Sequence, residues 1–532
     1  MSHYLYGEDD NEDLYDSPSN VSHFKQYGTH THHNGGHHNG GYHNGGYHNG
    51  GYHNGGYHNG GYHNSTDYEK KKEKEDGEQL KVDELRKSVT ARGLSGLDNI
   101  GNTCYLNATL QPLSNTLGFT SYLLTDQYFD SLRENKIAEI VEERMKDEGD
   151  KCDDNKIVIK RSELHKRIKF TTVYQLSRVL TEMWKTNCTV VPKTLKDIIT
   201  KFNKEFSGFK QNDTQEALNL ILDRIHEETA IDVDIKFKNI PRDVIELNKI
   251  RKDCIKILSD EGTDAAMKQI AKEKYQNAKK KYPKEFITLN SYMFWKSASK
   301  RHSIITTMFT GIFCSHRRCT ECEKVSVNFE PFTNLYLSIP ESDETTLEEC
   351  ISNFSKEEVL DGDNKIKCSV CKKRVKSIKT MYIWELPEVL IIHMKRFNFN
   401  GTDMEKNKSL VKFPFENLEL TSNQFDWHCD SSGYDLYSIS EHRGIFTGGH
   451  YVAYCKNPII NKWYEMNDEN VYHIPNDKIE EEIVTNNAYI LFYSKNRAKK
   501  DDDGYESSDY DSTDSDNGDT RDDIAFTSNE ES

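Results

Sequence analysis

The chain has 532 residues, of which 35% are hydrophobic and 30% charged, and it carries a net charge of −17. Thirteen Asp and Glu against the single Arg521 in residues 501–532 hold twelve of those seventeen charges, so the remaining body is close to neutral. A nearly neutral body lacks the basic face expected of a nucleic-acid binder, and the low apolar share means that part of the length stays unfolded.

Residues 1–88 read as disordered: acidic and polar residues lead into a Tyr-His-Asn-Gly-Gly repeat running from about Gly40 to Asn64, which has nothing to bury. Its imidazoles could gain charge near pH 6.5, although a solvated linker is the plainer reading. MSHYLYGEDD shows no secretory pattern, and apolar runs such as VLIIH (389–393) fall far short of the ~18 residues of a membrane span. The expectation is a soluble, monomeric, cytoplasmic or nuclear protein with no membrane partner. Its twelve cysteines would then be reduced, which favours metal ligands or nucleophiles over disulfides.

Periodic apolar patterning begins near Gly93. Leu106, Leu110, Leu113 and Leu117 recur at the spacing of one helical face, which puts Cys104 at the start of a helix. Pro112 lacks a backbone donor and predicts a kink or an early end. A second helix follows QNDTQEALNLILDRIHEE (211–228), with Asp213 and Glu216 at capping-box spacing before its apolar stripe. Two charged segments, about 132–172 and 232–290, read as solvent-exposed helical insertions. Next, Cys319-Thr-Glu-Cys322 and Cys368-Ser-Val-Cys371 form two CxxC pairs, a tetrahedral sulfur set suited to one structural zinc per chain and closed to catalysis. Cys314, His302 and His316 lie nearby but are not expected to be ligands. MYIWELPEVLIIHMKRF (381–397), GGHYVAYCKN (448–457) and AYILFYS (488–494) read as buried strands. Helices precede strands, so the class is α+β. After residue 497 an acidic, disordered tail follows, in which SSDYDSTDSD (507–516) could accept phosphate.

Cys104 alone could be a small core residue. At a helix start, however, unpaired amides favour a thiolate and offer donors to an oxyanion. A base would be needed, and His450 opens a buried strand just after Gly448 and Gly449, small residues that admit a close chain. Asn467 and Asp468 follow as candidates to orient it. The order Cys, His, Asn/Asp is that of papain-like cysteine proteases. A catalytic zinc is disfavoured because the near match to HExxH at His226-Glu227 has Ala230 in place of its second histidine.

These residues carry a resemblance. GLDNIGNTCYLNATLQPLSNT (96–116) resembles the cysteine box of the ubiquitin-specific proteases, and GGHYVAYCKNPIINKWYEMNDENVYHI (448–474) resembles their histidine box. FSGFKQNDTQEALNLILD (206–223), LPEVLIIHMKRF (386–397) and AYILFY (488–493) are similar to three further boxes in the family's order, so the likeness covers about residues 93–495. It implies a papain-like core with a helical thumb, a β-sheet palm and a zinc-ribbon finger at about 310–380. It also implies hydrolysis of isopeptide or peptide bonds after the terminal glycine of ubiquitin, with ubiquitin and ubiquitinated proteins as partners and no cofactor for catalysis.

By that likeness Cys104 is the nucleophile, His450 the base, Asn467 or Asp468 its orienter, and Asn99 an oxyanion donor. Asp213 and Glu216 would meet ubiquitin's basic tail, a helix cap being the alternative, while Gln211, Gly448, Gly449 and Tyr451 would line the substrate path. Met466 stands where the family usually has an aromatic residue, and Pro112 where a small residue or cysteine is usual. A non-catalytic ubiquitin-binding scaffold and a protease of a ubiquitin-like modifier remain as alternatives.

Overall fold

A computed structural model describes residues 92–148, 157–237, 239–298, 300–399, 404–445 and 448–496. The repeat segment and the acidic tail lie outside the described residues. The helices that matter most are α1 (Cys104–Asn115), α2 (Thr172–Lys185), α3 (Thr214–Thr229), α4 (Arg242–Ser259), α5 (Ala265–Lys281) and α6 (Pro283–Ala298). Strands follow: β1 (Gly311–Cys319), β2 (Val325–Phe332), β3 (Asn334–Ser338), β4 (Glu358–Leu360), β5 (Ser377–Glu385), β6 (Val389–Lys395), β7 (Tyr434–Ile445), β8 (Gly448–Asn457), β9 (Lys462–Asn467), β10 (Asn470–His473) and β11 (Ala488–Lys495). Helices thus lead and strands follow, an α+β arrangement.

The palm is a seven-stranded sheet in the order β10-β9-β8-β7-β11-β6-β3, antiparallel except for the parallel β6/β3 edge. Its central strands are apolar on both faces because both are covered. Tyr451, Ala453 and Cys455 of β8, with Ile490 and Phe492 of β11, pack in one core with Leu106 and Leu110 of α1. Val452, Tyr454, Leu491 and Tyr493 point the other way, into a second core with Leu335, Leu390 and Ile392. Period-two alternation between two buried layers explains why these runs read as continuously hydrophobic.

Every residue of α1 is buried. The helix passes through Pro112 and ends at Asn115, and Leu117 opens the next helix instead of extending the first stripe. Pro112 is tolerated for a specific reason. The carbonyl of Ala108, which would accept from the missing N–H at position 112, accepts instead from Ser440 Oγ of β7 at 2.7 Å.

The finger is the sheet β2-β1-β5-β4, tipped by the two CxxC turns. Here one expectation needs correction. The 232–290 region is helical, but it is not merely a solvated insertion: Val244 and Leu247 of α4 and Phe286, Ile287 and Leu289 of α6 are buried against Ile312, Cys314, Phe329 and Trp384 of the finger. The 132–172 region likewise buries Leu132, Ile140, Leu164 and Ile168 in the helical core. Both are amphipathic layers, and their charged outer faces masked the apolar stripe that docks them.

Candidate active site

The first link between the two halves is made by backbone. Leu97 N–H donates to the Asp468 carbonyl at 2.8 Å, and Gly96 lies so close to the Glu469 main chain that a Cβ would sit 2.1 Å from its carbonyl oxygen. Asp468 and Glu469 form the two-residue turn between Asn467 and Asn470, with Asp468 at φ +50°. The segment leading to Cys104 therefore rests on the same turn that presents Asn467.

Side chains complete the link. The Asp468 carboxylate accepts from Asn99 Nδ2 at 2.9 Å through Oδ2 and from Asn107 Nδ2 at 2.8 Å through Oδ1. Asn99 Oδ1 in turn accepts from the Thr103 amide at 3.0 Å, which shapes the loop before Cys104. No side chain caps the first turn of α1, where the Leu106 and Asn107 amides donate to the Thr103 carbonyl at 3.0 Å, and the Cys104 and Tyr105 amides open the helix beside the Cys104 sulfur.

His450 lies near the start of β8, opposite Arg443 of β7. Its Nε2 meets Asn467 Oδ1 at 2.8 Å, whereas Asp468 Oδ2 is 3.9 Å away. An amide oxygen can only accept, so Nε2 carries the proton and Nδ1 is the nitrogen left to the Cys104 sulfur. A hydrogen bond to Cys104 is the main cause that raises the His450 pKa to about 9; partial burial opposes it, while the Asn467 bond and the Asp468 charge assist. Cys104, His450 and Asn467 thus come together, and Asp468 stands beside them as a brace.

Of the other expected site residues, Asp213, Tyr451 and Gln211 have their side chains already engaged. Asp213 caps α3 through the Gln215 amide at 2.6 Å and accepts from Tyr489 and Tyr451 hydroxyls at 2.7 and 3.3 Å, and burial pushes its carboxyl up. Glu216 is exposed on the first turn of α3, its carboxyl also raised by burial and by Asp213. Gln211 pairs with both backbone groups of Gly449. A Cβ on Gly449 would meet His442 Nε2 at 2.3 Å, so packing requires that glycine, while a Cβ on Gly448 would meet nothing within 4 Å. Met466 is buried between Ala453 and Val471. Sequence reasoning missed Asn107, Gly96 and His442. A polar residue one turn after the cysteine, between the apolar Leu106 and Ala108, was the available signal for Asn107.

The four cysteines of the CxxC pairs cluster with all sulfurs within 4.8 Å of one another, and among the described residues they are the only such metal-competent group. Cys314, His302 and His316 stay outside it. The Cys319–Cys371 and Cys322–Cys368 sulfurs are 3.9 and 3.7 Å apart, close to the roughly 3.8 Å edge of a tetrahedron with ~2.3 Å metal–sulfur bonds. Both turns have one geometry: Glu323 and Lys372, each four positions after the first cysteine, have positive φ and donate to that cysteine's carbonyl. These four residues could hold a metal ion.

The profile of one protein family, described as UCH, ubiquitin carboxyl-terminal hydrolase, matches residues 95–493. The chain belongs to the ubiquitin carboxyl-terminal hydrolase family. It is 32% identical over 408 residues to ubiquitin carboxyl-terminal hydrolase Usp2 of Drosophila melanogaster, a match spanning 76% of this chain and 35% of that protein. A probable ubiquitin carboxyl-terminal hydrolase of Acanthamoeba polyphaga mimivirus is 30% identical, with 78% of this chain and 94% of the viral protein aligned. Human ubiquitin carboxyl-terminal hydrolase 2 is 30% identical over 76% of this chain and 56% of its own length. The chain therefore spans about a third of the fly relative and just over half of the human one. Among solved structures, the yeast SAGA DUBm with a mutant Sgf73 aligns over 78% of this chain and 72% of that chain at 20% identity and a TM-score of 0.50, a likeness of fold.

Proposed function

We propose that the chain is a cysteine-type deubiquitinase that cleaves the bond after the C-terminal glycine of ubiquitin through a Cys104 thioester. The observation that carries this reading is His450 bonded through Nε2 to Asn467 Oδ1 at 2.8 Å, with the Cys104 sulfur near enough to be the main cause that raises its pKa. Nδ1 holds the proton drawn from the thiol, the sulfur attacks the terminal carbonyl carbon, and the imidazolium then gives its proton to the departing lysine amine. That amine is a poor leaving group when unprotonated, given a lysine pKa of about 10.4. Water, deprotonated by the same ring, hydrolyses the thioester and restores the thiol. The Cys104 and Tyr105 amides serve the developing oxyanion, together with the Asn99 amide, whose second N–H remains beyond its bond to Asp468. Asp468 positions Asn99 and Asn107, and Asn467 sets the ring's tautomer. The four-cysteine cluster fits a structural zinc, which would fasten β1 and β5 of the finger to the loop carrying Cys368 and take no part in the reaction.

Hydrolysis of a fluorogenic ubiquitin C-terminal amide by the full chain, beside Cys104→Ala, tests the reading. Release by the native chain and none by the variant is expected. Equal release from both removes the nucleophile assignment, and release from neither replaces the enzyme with a ubiquitin-binding scaffold.

A further inference from the structure

The segment 207–212, just before α3, crosses from one catalytic arm to the other. At one end Asn102, two positions before Cys104, donates from Nδ2 to the Phe209 carbonyl at 2.6 Å. The Phe209 ring lies over Gly101, where a Cβ would come within 2.2 Å of it. Lys196 Nζ holds the Gly208 carbonyl at 2.9 Å. At the other end Gln211 Nε2 donates to the Gly449 carbonyl at 2.7 Å and Gln211 Oε1 accepts from the Gly449 amide at 3.0 Å, across 238 positions of sequence. Gly449 immediately precedes His450. The last β9 residue paired with β8 is Met466, opposite Ala453, so on that edge Gly449 has no strand partner. The glutamine amide supplies the missing rung, because a primary amide offers the same donor and acceptor as a peptide group.

We propose that Gln211 is a positioning residue for the hydrolysis: by clasping both backbone groups of Gly449 it fixes the main chain beside His450, while Asn102 ties the same strap to the Cys104 loop. The inference rests on the proposed Cys104–His450 chemistry. It assigns Gln211 to alignment of the relay, since its amide is turned to Gly449 and bonded to both of that residue's backbone groups. The strap sits on the surface, with Phe209 74% exposed, so its loss loosens alignment without opening the core.

The test compares the native full chain, Gln211→Ala, Gln211→Glu and Asn102→Gly with a fluorogenic ubiquitin C-terminal amide, measuring kcat, KM, the pH profile and the thermal midpoint. Asn102→Gly suits that position, which has φ +52°. Gln211→Ala should lower kcat about tenfold with KM within about twofold, the pattern of lost orientation and not of lost binding. The alkaline limb of kcat should move toward neutral pH as the ring loses its fixed contact with the sulfur. Gln211→Glu keeps the acceptor but not the donor and should fall between. Asn102→Gly should act in the same direction, and the double variant should lose less than the product of the two, with thermal midpoints unchanged. A raised KM at unchanged kcat would make Gln211 a substrate contact, a raised kcat would make the clasp a block, and unchanged kinetics would make it idle; each overturns the proposal. Hydrolysis by the native chain with any of these results spares the deubiquitinase reading, whereas no hydrolysis by the native chain overturns both.

Discussion

Removing the Cys104 sulfur should return His450 to an ordinary imidazole. The ring is raised to about 9 chiefly by its hydrogen bond to that sulfur, against the pull of burial. Lifting an imidazole from about 6.5 to about 9 corresponds to about 3 kcal/mol in favour of the charged form. The side chain is 39% exposed, and solvent screening reduces the stability share to about 1–2 kcal/mol. Because the folded-state pKa lies above the unfolded one, this contribution is fully present below pH ~6.5 and is lost as pH rises through ~9. Titration of the His450 ring by carbon-detected NMR, assigned with His450→Gln, should therefore show a midpoint near 9 in the native chain and near or below 6.5 in Cys104→Ala. Asn467→Ala should fall between, since it removes the smaller of the two bonds. Urea unfolding should show Cys104→Ala less stable than the native chain at pH 6, with the gap narrowing toward pH 9.5 by about that 1–2 kcal/mol. A ring that still titrates near 9 without the sulfur would refute the pairing.

Two further outcomes follow from the geometry. Metal analysis should return one zinc per chain and none in the Cys368→Ser, Cys371→Ser double variant, with increased proteolysis of the finger; zinc retained by that variant would refute the four-sulfur site. Gly449→Ala should lose about 1–3 kcal/mol in urea unfolding, because its Cβ would lie 2.3 Å from His442 Nε2 and 2.7 Å from the Arg443 carbonyl. Gly448→Ala, with open space around it, should unfold within about 0.5 kcal/mol of the native chain. Equal destabilisation of the two would contradict the packing.

What could be read in advance was what short-range chemistry writes into the chain. Cys104 at a helix start, the CxxC pairs and the two-sided apolar runs of β6, β8 and β11 are local patterns, and each occupies its expected place. What could not be read was which surface a stripe meets. Phe286 and Leu289 show a helical face, but nothing near them names Ile312, Phe329 or Trp384 as its cover. Pro112 is the sharpest case. Read locally it predicts disruption, yet its consequence is decided by Ser440, more than three hundred positions away.

The same distance dependence explains why the orienting role divides between neighbours. Asn467 is the last residue of β9 and faces His450, so it can hold the ring but cannot reach the helix. Asp468, one step on and turned by its positive φ, faces the other way, toward Asn99 and Asn107. A neutral amide beside the imidazole brings no charge of its own to the ring, so the sulfur stays the main cause of its raised pKa. A carboxylate placed 3.9 Å off adds attraction without competing for Nε2, and its two oxygens lock the nucleophile's loop and helix to the turn. Exchange of the two residues would put the full negative charge on the ring and leave Asn99 and Asn107 a single amide oxygen to share. The alignment of sulfur and imidazole is therefore set by the order of two residues in one tight turn.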